Sequence, residues 1–293
     1  MADWPTALSD LARLSGKTLF FVGGAPRSGT TWVMALLDAH PQIACRGEGL
    51  FDRGLARPLA GLMSGYRSTL EAKNNSVFKD GRGFVLPTDE DDDLLLGAAM
   101  MLGLRRQGIA PDVRAIGEKT PENVFNFPTW KRVFPQARFI GVVRDPRDVL
   151  TSAWHFFGST PPGQDEAEAK AAFVAMAMPS IDAGMRAMVA LQKDFAPDTL
   201  IVGYEQLLSR PEPVVRAMFQ HLGCADDDLT IRQGLERTSF QALTGGRPAG
   251  EARNGAFLRM GVAGDWRTTF SEDLGRRIVH DLAWSFERFG WPT

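Results

Sequence analysis

Five short runs of continuous apolar residues constrain the fold of this chain more than any other feature of its sequence. They occupy residues 18–22, 42–45, 114–117, 138–143 and 199–203. Runs that stay apolar without alternating with polar residues are typical of strands buried on both faces, as in a parallel sheet. Helical patterns such as "TTWVMALLDAH" and "DPRDVLTSAWHFF" separate the runs. We therefore predict one α/β domain over residues 1–293, in which a doubly wound parallel sheet is flanked by helices.

Several helices can also be placed from local signals. Asp145 is a suitable N-cap, and Pro146 fits the first helical position after it. We expect residues 94–104 to form a buried helix entered through a solvated acidic loop, 89–93, and a long helical region to break near Pro179. One C-terminal amphipathic helix is predicted, because apolar residues recur every four positions at Leu274, Ile278, Leu282 and Phe286.

The composition indicates a globular protein without a nucleic-acid or membrane partner. Hydrophobic residues make up 44% of the chain, charged residues 23%, and the formal net charge is −2, so no basic surface for a polyanion is expected. The start lacks a basic segment followed by an apolar one, and the run 94–104 is shorter than the roughly 20 residues of a membrane span. Cys45 and Cys224 are the two cysteines. We expect a cytoplasmic protein with no membrane span, whose first 15 or so residues are peripheral.

The stretch "GGAPRSGTTW", residues 23–32, has most features of a phosphate-binding loop. Gly24 and Gly29 have the spacing of the pattern GxxxxGK[ST], but Thr30 stands where that pattern has its lysine, which reaches the phosphates of a nucleoside triphosphate. The cation here is Arg27, inside the loop. Backbone N–H groups at the start of the following helix favour an anion, and Arg27 adds a permanent planar charge. The loop predicts an anion site.

Charged and aromatic residues follow the carboxyl ends of the predicted strands, where the ligands of open parallel sheets bind. After Arg27 at the first strand come Glu48 at the second, Glu118, Lys119 and Glu122 at the third, Arg144 at the fourth, and Tyr204 and Glu205 at the fifth. We expect these side chains to line one polar, anion-binding cleft. No histidine or cysteine cluster has the spacing of metal ligands, so no metal is predicted.

Four segments resemble sulfotransferases that use 3′-phosphoadenosine 5′-phosphosulfate (PAPS). "FVGGAPRSGTTW" is similar to the 5′-phosphosulfate loop of that family and "RFIGVVRDPRDVLTSAWHFF" to its 3′-phosphate motif. "RTSFQAL" and "RMGVAGDW" resemble two C-terminal cofactor segments of the cytosolic members. The resemblance, from about residue 18 to about 270, implies a P-loop-type fold, PAPS as donor, 3′,5′-diphosphoadenosine (PAP) as product, and no metal.

The resemblance also implies roles for individual residues. The 5′-phosphosulfate would be surrounded by Arg27, Ser28, Gly29, Thr30 and Thr31. Trp32 would stack on the adenine, and the adenosine would be lined by Tyr204, Thr238 and Phe240. The 3′-phosphate would be held by Arg144 and Ser152 and covered by Arg259, Met260 and Gly261, next to a mobile lid over residues 244–258. Arg27 and Lys119 could neutralise charge on the bridging oxygen. Each role has a purely structural alternative. The loop could serve packing only, and Trp32 could be a core residue. Arg144 could belong to a surface ion pair, and Ser152 could be an ordinary mid-helix residue.

The motifs disagree about which residue is the catalytic base. Cytosolic members have a histidine two residues after a lysine, but here Lys119 and Thr120 are followed by Pro121. "GGAPRSGTT…LLDAHPQIACRGE" is instead similar to the tyrosylprotein sulfotransferases, whose base, a glutamate, matches Glu48. We predict Glu48 as general base, with Glu122 and His155 as rivals. Glu118 could pair with an arginine instead, and Glu48 itself could pair with Arg46 or Arg53.

The predicted activity is transfer of a sulfuryl group to a hydroxyl or amine of an acceptor. The alternatives are a P-loop kinase or NTPase, for which Asp145 is the one candidate metal ligand, and a non-catalytic nucleotide-binding relative. The acceptor stays open, although the loops 50–90 and 155–180 are expected to shape its pocket. The dimer motif of cytosolic members is not matched by "DWRTTFSEDLGRR", so the oligomeric state is open as well.

Overall fold

A computed structural model describes residues 3–107, 110–253 and 255–293 of the chain. Its described residues contain a five-stranded sheet in which every neighbouring pair of strands is parallel. The strands are β1 (Thr18–Gly24), β2 (Ile43–Cys45), β3 (Ala115–Lys119), β4 (Arg138–Val143) and β5 (Thr199–Gly203), arranged in the order β2-β3-β1-β4-β5. All five predicted runs are strands, and the predicted parallel α/β fold is confirmed.

Helices follow or precede each strand. They are α1 (Trp4–Ser15), α2 (Thr30–Asp38), α3 (Arg57–Ser76, preceded by a π-helical turn, Asp52–Ala56), α4 (Asp89–Arg105), α5 (Asn123–Val133), α6 (Pro146–Phe157), α7 (Glu166–Asp194), α8 (Tyr204–Ser209), α9 (Pro211–His221), α10 (Asp228–Arg237), α11 (Phe240–Leu243), α12 (Trp266–Thr269), α13 (Glu272–Asp281) and α14 (Ala283–Phe289). A 3₁₀ turn, Ala196–Asp198, precedes β5. The first helix, α1, buries only Leu14.

Each face of the sheet is covered by its own hydrophobic core. Phe21 and Phe139 point to one face, where they pack with residues of α4, α5, α6, α7, α13 and α14. Phe20, Val22 and Ile140 point to the other face and pack with α2, α9 and α10. Because side chains alternate along a strand, both faces must be apolar, which explains the continuous apolar runs.

The glycine-rich loop of residues 23–32 leaves the sheet at the point where the strand order reverses. β1 lies between β3 and β4. The chain runs from β1 to β2 and β3 on one side of it, and then crosses to β4 on the other side. Crevices of this kind, at the carboxyl ends of the strands, are where open α/β sheets bind their ligands.

Three local predictions, two for α4 and one for the C-terminal helix, are wrong. The acidic residues 89–93 form the first turn of α4 rather than a loop, because Thr88 and Asp91 make a capping box and acidic groups favour a helix N-terminus. α4 is buried on one face only, with Met100 inside and Leu94 exposed. The predicted C-terminal helix is two helices separated at Leu282, although its four marker residues are all buried.

α7 continues through Pro179 without a break, contrary to the sequence prediction. The 29-residue helix is long and apolar enough to cross a membrane by length and composition, and a third of its most apolar stretch is buried. Residues such as Ile181 and Met188 are part of the core beside the sheet. The length argument made for residues 94–104 therefore does not extend to α7, and the absence of a membrane span stays a prediction.

Candidate active site

Glycines are required by the geometry of the loop between β1 and α2. A side chain at Gly24 would place its Cβ 2.4 Å from the Val142 carbonyl oxygen. At Gly29 it would lie 2.5 Å from the Tyr204 ring, and Gly29 adopts φ 104°. Arg27 also has a positive φ of 74°, a conformation that costs free energy in a non-glycine residue. The loop is therefore a tight turn with its backbone exposed toward the cleft.

The start of α2 offers donors to an anion. Gly29 is the N-cap and has no side chain to satisfy the first N–H groups of the helix, which point out of its N-terminus. Thr30 is buried beside it, and Thr31 lies partly exposed in the same turn. Ser28 is only 1% exposed, and its Oγ has no hydrogen-bond partner in the part of the chain that the structure describes. A buried hydroxyl of this kind normally has a partner.

Arg144, at the end of β4, holds the loop from the side. Its Nη1 donates to the Arg27 carbonyl oxygen at 3.3 Å and its Nη2 to that of Val262 at 3.0 Å. The guanidinium lies 4.3 Å from the centre of the Tyr204 ring, and its side chain is 10% exposed. The Nε atom is buried and finds no partner among residues 3–107, 110–253 and 255–293. A buried donor without an acceptor again indicates an anion site.

Arg27 reaches across to α6. Its Nε donates to Ser152 Oγ at 3.2 Å and its Nη2 to the Phe257 carbonyl oxygen at 2.6 Å. Its guanidinium also lies within 5 Å of the ring centres of Phe156 and Phe257. Burial, and then the charge of Arg144, lower the pKa of Arg27. The structure thus brings together Arg27 and Ser152, which the resemblance had assigned to different phosphates.

A third arginine, Arg259, completes the basic cluster. It forms a buried ion pair with Asp265, and burial followed by the charge of Arg144 lowers its pKa. Asp148, on α6, accepts hydrogen bonds from the N–H groups of Gly264 and Trp266. Asp148 therefore fastens the "GDW" segment to α6, although the sequence reading had not singled it out. The one signal for Asp148 in the sequence was its position four residues after Arg144, a spacing at which opposite charges on a helix attract.

The residues assigned to adenosine meet on the other side of the loop. Trp32 Nε1 donates to the Thr238 carbonyl oxygen at 3.0 Å, and the Trp32 ring lies edge-on to Tyr204 at 5.7 Å. Phe240 packs against Gly261, where a Cβ would lie 2.2 Å from the ring. These residues come from α2, the start of α8, the C-cap of α10, α11 and the C-terminal region.

The predicted lid, 244–258, lies beside the same residues. Arg247, which sequence reasoning missed, is 4.7 Å from the centre of the Phe240 ring and donates hydrogen bonds to the carbonyl oxygens of Glu251, Leu258 and Arg259. The Met260 carbonyl oxygen accepts the Gly250 N–H. Asn254 lies outside the described residues. The mobility of this segment stays a prediction.

Lys119 and Glu48 form an ion pair at the end of β3. The distance from Lys119 Nζ to Glu48 Oε1 is 2.5 Å. The lysine side chain is 5% exposed, whereas that of Glu48 is 40% exposed. Glu48 is therefore within reach of solvent, and the alternatives that paired it with Arg46 or Arg53 are wrong. Arg46 pairs with Asp38 instead.

The other candidate bases have different surroundings. Glu118 does not pair with an arginine; its carboxylate accepts hydrogen bonds from Gly49, Thr120 and Asn123. Glu122 is exposed at the N-cap of α5. His155 Nε2 lies 3.1 Å from Thr269 Oγ1, and burial, then Arg259, lower its pKa.

Two rim residues are structural. Glu205 accepts the Asp145 N–H and the Trp291 Nε1–H, so it ties β5 to β4 and the C-terminus. Asp145 is the N-cap of α6, as predicted, and is paired with Arg147. Among the described residues, no group of three histidine, cysteine or acidic side chains is arranged to hold a metal ion.

Together, a parallel sheet with a glycine-rich loop at its switch point and three arginines around that loop define an α/β protein of the P-loop type. Residues 20–228 match a family profile described as the sulfotransferase family. Because this match covers well over half of the chain, the chain belongs to the sulfotransferase family. The family predicted from the four motifs is confirmed.

Curated relatives agree with that assignment, and a solved structure shares the fold. Human protein-tyrosine sulfotransferase 1 is 35% identical over 129 residues, which are 44% of this chain and 32% of that protein. Protein-tyrosine sulfotransferase A of Caenorhabditis elegans is 27% identical over 212 residues, 72% and 51% of the two chains. The matched parts thus span between a third and about half of these relatives. A mouse sulfotransferase complexed with PAP has the same fold, with a TM-score of 0.55, 17% identity, and coverage of 92% and 86%.

Proposed function

We propose that this chain transfers a sulfuryl group from PAPS to a hydroxyl or amine of an acceptor. The observation that supports this most directly is that two buried polar atoms beside the loop, Ser28 Oγ and Arg144 Nε, are without a partner in the described residues. They border a loop around which burial, and then the charge of Arg144, lower the pKa of both Arg27 and Arg259. A donor that carries an anionic group at each end of its ribose would offer acceptors to both atoms.

The residues present fit such a donor. The N-terminus of α2, Ser28 and Thr30 would hold the 5′-phosphosulfate, and Arg144 and Arg259 the 3′-phosphate. Trp32 and Tyr204 would contact the adenosine. When bound, PAPS supplies an activated sulfuryl group attached to a phosphate that leaves as PAP. The contribution of the chain is to orient that donor and to place positive charge around it.

Glu48 is proposed as the general base for the acceptor. One of its carboxylate oxygens is bonded to Lys119 Nζ, so the other can accept the proton of an incoming hydroxyl. Its exposure allows an acceptor to reach it, while buried Lys119 places a positive charge beside the reaction. Arg27 and Lys119 are proposed to neutralise charge on the leaving group.

The two alternative functions have less support. A kinase or NTPase would use Asp145 as metal ligand, but Asp145 caps α6 and is bonded to Arg147. A relative without activity would have no need of a Lys119–Glu48 pair next to the donor loop. The acceptor and the oligomeric state stay open, and a cytoplasmic location remains a prediction from the sequence.

Calorimetry and a transfer assay would test the proposal together. The protein is expected to bind PAP without magnesium and to bind ATP with magnesium much more weakly. With ³⁵S-labelled PAPS and a panel of phenols, alcohols, amines, sugars and tyrosine peptides, label should move to at least one acceptor as PAP is released. Tight magnesium-dependent ATP binding, with none for PAP, would refute the assignment.

The base is tested by Glu48→Gln, which keeps the size of the side chain and removes its basicity. Turnover should fall by about 100-fold or more, while PAP affinity stays within about threefold. Glu122→Gln is the matched control, since Glu122 is exposed on the connection that follows Lys119. Normal turnover in Glu48→Gln, with a large loss in Glu122→Gln or His155→Ala, would assign the base to one of those residues.

A further inference from the structure

Glu118 is a buried carboxylate next to Lys119 for which the proposed chemistry has no use. It is only 1% exposed, and a carboxylate in such a position must be well hydrogen-bonded to be tolerated. Its Oε2 accepts the Gly49 N–H at 2.8 Å and the Thr120 hydroxyl at 2.6 Å. Its Oε1 accepts the Asn123 amide at 2.6 Å. Three donors thus converge on this one group, and the first belongs to the residue after Glu48.

The network is anchored in the sheet and the core. Asn123 Nδ2 also donates to the Val22 carbonyl oxygen of β1 at 3.1 Å, and Asn123 Oδ1 accepts the Trp130 Nε1–H at 3.0 Å. Burial raises the pKa of Glu118, and the hydrogen bonds of Thr120, Asn123 and Gly49 oppose that rise. The carboxylate therefore has a fixed position relative to β1 and β3.

The loop that carries Glu48 is fixed from both sides by the same short segment of β3 and its end. The Gly47 carbonyl oxygen accepts the Lys119 N–H at 3.2 Å, before Glu48. After Glu48, the Leu50 N–H donates to Thr120 Oγ1 at 3.2 Å. Gly47 and Leu50 have positive φ values of 67° and 50°, so the loop is a sharp turn, and Leu50 adopts it without being a glycine. Such a conformation persists only where its surroundings impose it.

We propose that Glu118 is a positioning residue, which holds the side chain of Glu48 beside Lys119 by fixing the backbone N–H of Gly49. This inference rests on the proposed function, because it assumes that Glu48 is the base. Glu118 itself is buried behind the loop and does not act on the acceptor. Its effect is confined to where Glu48 lies.

The test uses Glu118→Gln. Glutamine has one acceptor oxygen instead of two. The Asn123 amide is held in its orientation by Val22 and Trp130, so the glutamine oxygen should stay toward Asn123 and the Gly49 N–H should lose its partner. Amide hydrogen exchange at Gly49 and Leu50 should become faster by about tenfold or more, as expected for loss of a hydrogen bond to a charged group. The kcat should fall on the order of 10- to 100-fold, with the KM for PAPS unchanged within about threefold.

A double-mutant cycle separates positioning from general destabilisation. In a Glu48→Gln background, adding Glu118→Gln should cause no further loss of turnover, because the group that Glu118 positions is already absent. Losses that multiply would overturn the proposal, since Glu118 would then act on something other than Glu48.

Thr120→Val provides a second, milder variant if Glu118→Gln does not fold. It removes the acceptor of the Leu50 N–H and should produce the same signature. Glu205→Gln, which also removes a partly buried carboxylate that binds a backbone N–H, should leave exchange at Gly49 and Leu50 unchanged. Unchanged exchange in both Glu118→Gln and Thr120→Val would overturn the inference whatever the activity. Faster exchange, together with normal turnover in Glu48→Gln, would support the anchoring and refute Glu48 as base.

Discussion

Discrimination between PAP and adenosine 5′-phosphate (AMP) should depend on Arg144. Its two Nη atoms are already bonded to the carbonyl oxygens of Arg27 and Val262, whereas buried Nε is without a partner in the described chain. A 3′-phosphate would accept at least that one donor. A hydrogen bond between charged groups contributes about 1.5–3 kcal/mol. At about 1.4 kcal/mol per factor of ten, PAP should bind roughly 10- to 200-fold more tightly than AMP.

Isothermal titration calorimetry with PAP and AMP measures this ratio directly. In Arg144→Ala most of this preference should be lost, because the two nucleotides differ only in the 3′-phosphate and Arg144 is its main proposed partner. Arg186→Ala is the matched control: Arg186 is 59% exposed on α7 and pairs with Asp182. That variant should keep the wild-type ratio.

The ratio also separates phosphate recognition from a structural effect. Arg144 links two loops, so its removal could weaken binding of every nucleotide. If Arg144→Ala weakens PAP and AMP by the same factor, the residue acts through those backbone contacts, and the assignment of the 3′-phosphate site is wrong.

Three further outcomes are expected. Trp32→Ala should weaken PAP and AMP equally, by about 5- to 150-fold for loss of one stacked base; an unequal effect in calorimetry would place Trp32 elsewhere. PAP should slow hydrogen exchange across residues 244–253 and 255–258, and unchanged exchange would show that the segment does not order around the nucleotide. Burial lowers the pKa of His40, and its neutral ring accepts the Gln42 N–H and bonds to the Ala225 carbonyl oxygen. Below pH about 6.5 the unfolded chain binds a proton that folded His40 resists, so the free energy of unfolding should fall. Urea unfolding at pH 7.5 and 5.5 should show a smaller fall in His40→Gln than in wild type; equal falls would contradict this.

The sequence by itself determined the sheet and the loop. Strands buried on both faces must be apolar throughout, so the five runs were readable without any knowledge of their neighbours. The spacing of Gly24 and Gly29, with Arg27 between them, was enough to predict an anion site in a strand-loop-helix turn, because the geometry of such a turn is local. Helix ends were predicted less well. α7 continues through Pro179, where a break was predicted, and the predicted C-terminal helix is divided at Leu282. Both depend on tertiary packing and not on local sequence alone.

Only the tertiary structure decided which side chains meet. Arg27 contacts Phe257, 230 residues away, and Trp32 contacts Thr238, 206 residues away. No periodicity encodes such pairs, since they follow from how strands and loops stack in space. The same holds for Glu118: the residue types allowed it to be a base, a partner of an arginine or neither. Its burial, and the convergence of Gly49, Thr120 and Asn123 on its carboxylate, gave it a structural position beside the loop of Glu48.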